Sequence, residues 1–203
     1  MKELLVKVCG LTDIDNYNRI IDLSPDMVGI NFYPPSSRFI GKRVLPRKEN
    51  VLRVGVFVNA EIEDLELACQ KHQLDYAQLH GDEDVSYCRE VQEFVKVIKV
   101  FRVDSTFEWS SIEDFEFCDY FLFDTKTSKY GGSGIKFSWD DLNNYKGNTA
   151  FLVGGGVSPD DISSIKNIQH PSLAGVDINS RFEDAPGIKN PETVGRFIKE
   201  LSK

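Results

Sequence analysis

Val54-Gly55-Val56-Phe57-Val58 carries no polar side chain, so a strand built from it is apolar on both faces. Such a strand must be covered on both sides, the condition of a parallel sheet flanked by helices. Phe151-Leu152-Val153 repeats the pattern. Outward from these, apolar, β-branched or aromatic runs begin near Leu4, Met27, Leu52, Asp75, Val95, Asp119, Thr149 and Leu173. They recur about every 24 residues, enough for a strand, a helix and two short loops. Amphipathic stretches over 13–22, 61–71, 83–93, 107–115, 138–145, 159–167 and 190–202 predict the intervening helices. Thr12, Ser158 and Asn190 each offer a side-chain acceptor to a helix start. Between Gly41 and Val51, Pro46 and a high charge density allow at most a short or irregular helix. Eight near-equal units with Gly-rich turns predict an α/β protein, a single (β/α)8 TIM barrel over residues 1–203, rather than a doubly wound sheet.

A formal net charge of −8 without clustered Lys or Arg argues against nucleic-acid and membrane surfaces. The start lacks the apolar segment of a signal peptide, and no apolar run is long enough to span a bilayer, so a cytoplasmic protein is expected. Cys9, Cys69, Cys88 and Cys118 form no C-x-x-C pair and have no matching His spacing, which predicts reduced thiols and no metal site. Cys69 and Cys88 read as small apolar fillers of helices. Monomer and homodimer are equally compatible with the sequence.

In a barrel of parallel strands the carboxyl ends share one face, where residues distant in sequence flank one ligand. Cys9 ends the first strand and Asp124 the sixth, a thiol and a carboxyl suited to proton transfer. Alternation sends Lys7 the same way as Cys9, Gln78 with His80, and Gly175 with Asp177. Lys7 is explained by an anionic guest, by a Cys9 thiolate, or by a structural pair with Asp177. An ammonium about 7 Å from Cys9 at an effective dielectric near 20 contributes ~2.4 kcal/mol, enough to draw the thiol towards neutrality. For Asp124, burial favours the protonated form and Lys126 opposes it, so its direction stays open. Gly154-Gly155-Gly156 ends the seventh strand and Asn179-Ser180-Arg181 the eighth, the two loops where such barrels bind phosphate. A phosphorylated small molecule is the expected ligand. Arg38, behind Pro34-Pro35, is either a forked carboxylate binder or a solvated surface residue.

Lys7-Val8-Cys9-Gly10-Leu11-Thr12, Gln78-Leu79-His80-Gly81-Asp82-Glu83, Leu122-Phe123-Asp124-Thr125, Gly131-Gly132-Ser133-Gly134, Gly154-Gly155 and Gly175-Val176-Asp177-Ile178-Asn179-Ser180 closely resemble the phosphoribosylanthranilate isomerase family of tryptophan biosynthesis, in order and in spacing. The resemblance implies a cofactor-free Amadori rearrangement, with Asp124 as general acid and Cys9 as general base. It implies a substrate site that includes Lys7, Arg38, His80, Gly132, Gly134, Gly155, Gly156, Asp177, Ser180 and Arg181, with Arg38 on the anthranilate carboxylate. The chain departs from the family pattern at Arg181-Phe182, where Gly-Val is usual, at Ile135 in place of Lys, and at Asn190 in place of Asp. An indole-glycerol-phosphate synthase would carry an extra segment before the first strand, and a metal-dependent epimerase needs several strand-end histidines. Only His80 qualifies, since His72 and His170 read as surface or loop residues. A phosphate-ligand sensor without catalysis would have no need of both Cys9 and Asp124.

Overall fold

All eight apolar runs are strands in the computed structural model, which describes residues 4–125 and 137–203. β1 (Leu5–Cys9), β2 (Met27–Asn31), β3 (Leu52–Phe57), β4 (Tyr76–Leu79), β5 (Lys96–Val103), β6 (Tyr120–Thr125), β7 (Phe151–Val153) and β8 (Leu173–Ile178) follow one another around a closed barrel. Each is parallel to both neighbours, and β1 closes on β8 with Lys7 level with Asp177. The expected TIM barrel is therefore the observed fold.

Alternation divides the strand side chains into two layers. Met27, Val54, Tyr76, Ile98, Val100, Leu122 and Leu152 pack together inside the barrel. On the outside, Val6, Val8, Val28, Ile30, Val176 and Ile178 meet Tyr17, Ile20, Val194 and Phe197 of the helices. A second outer cluster sets Ala77, Leu79, Val97, Phe121 and Phe123 against Leu65, Cys88, Val91 and Ile112. Phe121, Phe123 and Phe151 are fully buried, each contributing about 1.5–3 kcal/mol through lost apolar surface.

The helices are α1 (Ile14–Ile21), α2 (Ile62–His72), α3 (Val85–Gln92), α4 (Ile162–Lys166) and α5 (Pro191–Leu201). Two expected helices are 3-10 turns instead, Trp109–Phe115 and Trp139–Asn144. Aromatic rings fill the space there: Trp109 lies 5.3 Å from Phe123, Tyr145 5.5 Å from Phe123, and Phe101 5.0 Å from Phe121. The stretch from Gly41 to Val51 forms no helix; it runs irregularly and is pinned by the buried Leu45, whose carbonyl accepts from Arg53. α1 is capped by Asp13, which accepts from Asn16 N at 2.8 Å, and not by Thr12. The Thr12 hydroxyl donates to Gly187 O instead. Asn190 caps α5 as expected, accepting from Thr193 N at 2.9 Å. Ser158 joins Asp161 in a capping box before α4. His72, expected at the surface, is buried with its ring edge-on to Phe32. Between β8 and α5 lies an antiparallel hairpin, β9 (Glu183–Ala185) and β10 (Ile188–Lys189). No helix among the described residues is long and apolar enough to cross a membrane.

Candidate active site

The carboxyl ends of the strands surround a cavity of about 390 Å³. β1 contributes Cys9, β4 brings Gln78 and the adjoining His80, β6 Asp124, and β8 Asp177 with the following Asn179 and Ser180. The β2 loop adds Tyr33, Ser36 and Arg38, and the β7 loop Gly155 and Gly156.

Lys7 lies below this cavity, fully buried, with Nζ 2.8 Å from Asp177 Oδ1. Lys7 pairs with Asp177, and the neighbouring Cys9 acts on the same ammonium, so two of the three explanations open for Lys7 hold together. Burial works against the ammonium, but the charges of Asp177 and Cys9 outweigh it and hold the amine above its ordinary value. The same burial pushes the Asp177 carboxyl up against the pull of Lys7, and Asp124 adds like-charge repulsion. Cys9 departs from the expected depression towards neutrality. Burial raises the thiol and outweighs Lys7 and Lys189, which pull it down, while Asp177 adds to the rise. Room for the sulfur comes from Gly29 on β2, level with Cys9, where a Cβ would fall 2.5 Å from Sγ.

Asp124 is held from two sides. Its Oδ1 accepts from Thr125 N at 2.7 Å, and its Oδ2 lies 3.1 Å from His80 Nε2. The His80 Nδ1 in turn lies 3.2 Å from Gln78 Nε2. Gly155 lets the β7 loop close on this group: at φ 72° its absent Cβ would sit 2.6 Å from Asp124 Oδ1.

Arg38 reaches the cavity mouth because its loop returns to the end of β2, where Ile40 N donates to Asn31 O at 2.9 Å. It is no solvated surface residue. Glu183 takes its Nε and NH2 hydrogens, and this bonding raises the guanidinium value further. Burial works against the Glu183 carboxylate, but Arg38 and Lys189 outweigh it and hold the carboxyl below its ordinary range. Lys189 is wholly enclosed, with Nζ 2.5 Å from Glu183 Oε1 and 2.7 Å from Asn179 Oδ1. Burial lowers its amine to about 8 against the pull of Glu183.

Of the residues expected at the site, Cys9, Arg38, His80, Asp124, Gly155, Gly156, Asp177 and Ser180 line one cavity. Arg181 is exposed and does not line it. Gly132 and Gly134 lie outside the described residues. Glu183 and Lys189 are additions that sequence reasoning missed, and Asn179, named only as part of the loop after β8, lines the cavity too. Asn179 follows Asp177 by two positions, a signal of shared facing that was readable; the hairpin that carries Glu183 to Arg38 was not.

The model of the N-(5′-phosphoribosyl)anthranilate (PRA) isomerase family matches residues 6–200. The chain is 39% identical over 202 residues to the N-(5′-phosphoribosyl)anthranilate isomerase of Phocaeicola vulgatus, covering 98% of each. It superposes on the crystal structure of phosphoribosyl anthranilate isomerase from Thermotoga maritima with a TM-score of 0.85 at 31% identity, covering 98% of both chains. A further structure, at TM-score 0.81, 29% identity and the same coverage, is a phosphoribosyl anthranilate isomerase in complex with reduced 1-(o-carboxyphenylamino)-1-deoxyribulose 5-phosphate. Matched over nearly its whole length, the chain belongs to the N-(5′-phosphoribosyl)anthranilate isomerase family and is an enzyme, an aldose-ketose isomerase of tryptophan biosynthesis.

Proposed function

We propose that this chain rearranges N-(5-phosphoribosyl)anthranilate to 1-(2-carboxyphenylamino)-1-deoxyribulose 5-phosphate, with Asp124 as general acid and Cys9 as general base. The observation that carries the proposal is that Cys9 and Asp124, on strands β1 and β6, line a single cavity. Asp124 delivers a proton to the ribose ring oxygen as the C1′–O bond breaks, leaving an iminium at C1′. The iminium acidifies the C2′ hydrogen, which the Cys9 thiolate removes to give an enolamine. The enolamine then gains a proton at C1′ and loses one from its C2′ hydroxyl, which yields the ketone and restores both groups.

Acid and base must hold opposite protonation states at one pH, so their surroundings must differ. Burial keeps Cys9 protonated at rest, and Lys7 and Lys189 support the working thiolate. Turnover therefore draws on a minority form. The Arg38 fork would take the substrate carboxylate on whatever donors Glu183 leaves open. Gly155 and Gly156, both at positive φ, and Ser180 offer backbone N–H groups to the phosphate.

The test supplies purified protein with freshly made phosphoribosylanthranilate, unlabelled or deuterated at C2′, and follows product. Enzyme-dependent conversion is expected, with a primary isotope effect wherever the Cys9 step limits the rate. Absence of conversion would reject the proposal and favour a phosphate-ligand sensor.

A further inference from the structure

We propose that Gln78 is a positioning residue: it fixes the proton of His80 on Nε2 and so keeps His80 a hydrogen-bond donor to Asp124. This rests on Asp124 being the general acid.

Gln78 and His80 sit two apart along β4 and its extension, facing the cavity together. Gln78 is 1% exposed, and its Oε1 is buried with no hydrogen-bond partner among the described residues. Its Nε2 lies 3.2 Å from His80 Nδ1, and His80 Nε2 lies 3.1 Å from Asp124 Oδ2. An amide nitrogen only donates, so Nδ1 must be the bare nitrogen of a neutral ring, and the ring proton sits on Nε2. A half-turn of the amide would put Oε1 on Nδ1 and reverse this. It would also leave both amide hydrogens without an acceptor among the described residues, where the observed orientation leaves one hydrogen and a carbonyl oxygen. An unpartnered carbonyl is the more readily tolerated defect.

The consequence concerns the proton of Asp124. With Oδ1 taken by Thr125 N–H and one lone pair of Oδ2 taken by His80 Nε2–H, the acid proton is left directed at the ligand. Once it has gone, the same two donors hold one carboxylate oxygen each. A bare Nε2 would instead accept that proton and turn it away from the substrate.

The experiment is a two-bond 15N correlation spectrum of the labelled full chain at neutral to mildly alkaline pH, with His80 assigned by the signal lost in His80→Asn. Wild type is expected to show one ring proton, on Nε2. A proton on Nδ1, alone or in a doubly protonated ring, would overturn the proposal without any variant. Gln78→Glu has nearly the same shape but only accepts; it is expected to place a proton on Nδ1 and to lower kcat about a hundredfold, with KM within about twofold. Unchanged kcat in Gln78→Glu would also overturn it. Loss of turnover in Asp124→Asn upholds the general acid whichever nitrogen of His80 is protonated, so the two assignments fail separately.

Discussion

Glu183 holds Arg38 in a fork: Nε donates to Oε1 at 2.9 Å and NH2 to Oε2 at 2.6 Å. Lys189 grips the same carboxylate from behind, so the arginine at the cavity mouth is set by a hairpin between β8 and α5. The pair is shielded, with the Glu183 side chain 4% exposed, and loss of one partner leaves buried charge uncompensated.

Glu183→Gln keeps the size of the side chain but removes its charge and turns an amide N–H towards Arg38 or Lys189. KM for phosphoribosylanthranilate is expected to rise about tenfold or more with kcat within about threefold, and unfolding free energy to fall by about 3 kcal/mol. Steady-state kinetics and urea unfolding check both. Unchanged KM would free Arg38 from the binding role.

Burial lifts the Cys9 thiol above its ordinary value, so its thiolate is scarce at neutral pH. Alkylation of Cys9 by iodoacetamide, followed by peptide mapping, is expected to be slow there and to accelerate about tenfold per pH unit into the alkaline range. Rapid alkylation at neutral pH would show that Lys7 and Lys189 prevail over burial.

Lys189 is expected to impose a pH dependence on stability. Its amine lies at about 8 in the fold against 10.5 ordinarily. Above the ordinary value the group is neutral in both states; as pH falls through the folded value the burial penalty becomes complete. Between the two the unfolded chain binds more protons, so stability rises with pH, by about 3 kcal/mol at most. Urea curves for wild type and Lys189→Met, taken at intervals from about pH 7 to 10.5, should show the difference between them changing in favour of wild type as pH rises. A constant difference would contradict the assignment.

Gly29→Ala tests the room made for the sulfur. A Cβ there would fall 2.5 Å from Cys9 Sγ and 2.9 Å from its Cα, and the second contact is with backbone. Displacement of Cys9 is expected to lower kcat about a hundredfold and stability by about 1–3 kcal/mol. Kinetics and unfolding curves measure each.

The barrel was legible because its strands carry their own signal. Runs apolar on both faces, such as Val54 to Val58, have few other homes, and every expected start lies within about two residues of an observed strand. The outer layer was less legible. Residues 107–115 and 138–145 have helical spacing, yet they form 3-10 turns, with bulky rings such as Trp109 in the first and Tyr145 just after the second packed onto β6. At the site, alternation from Lys7 and Cys9 led to the face where Cys9 and Asp124 line one cavity. It could not rank burial against a neighbouring charge, and so gave Cys9 the wrong direction. Glu183 and Lys189 were hidden because their roles depend on a hairpin folding back onto the β2 loop, a contact with no periodic signature.

The proposed turnover moves protons at both Cys9 and Asp124, which line one cavity. Its most direct measurement is the rate of product formation from phosphoribosylanthranilate by Cys9→Ala and by Asp124→Asn, each shown to be folded and to bind product. Each rate is expected to fall by about 10²–10⁴-fold. Wild-type turnover in either variant would contradict the account for that residue.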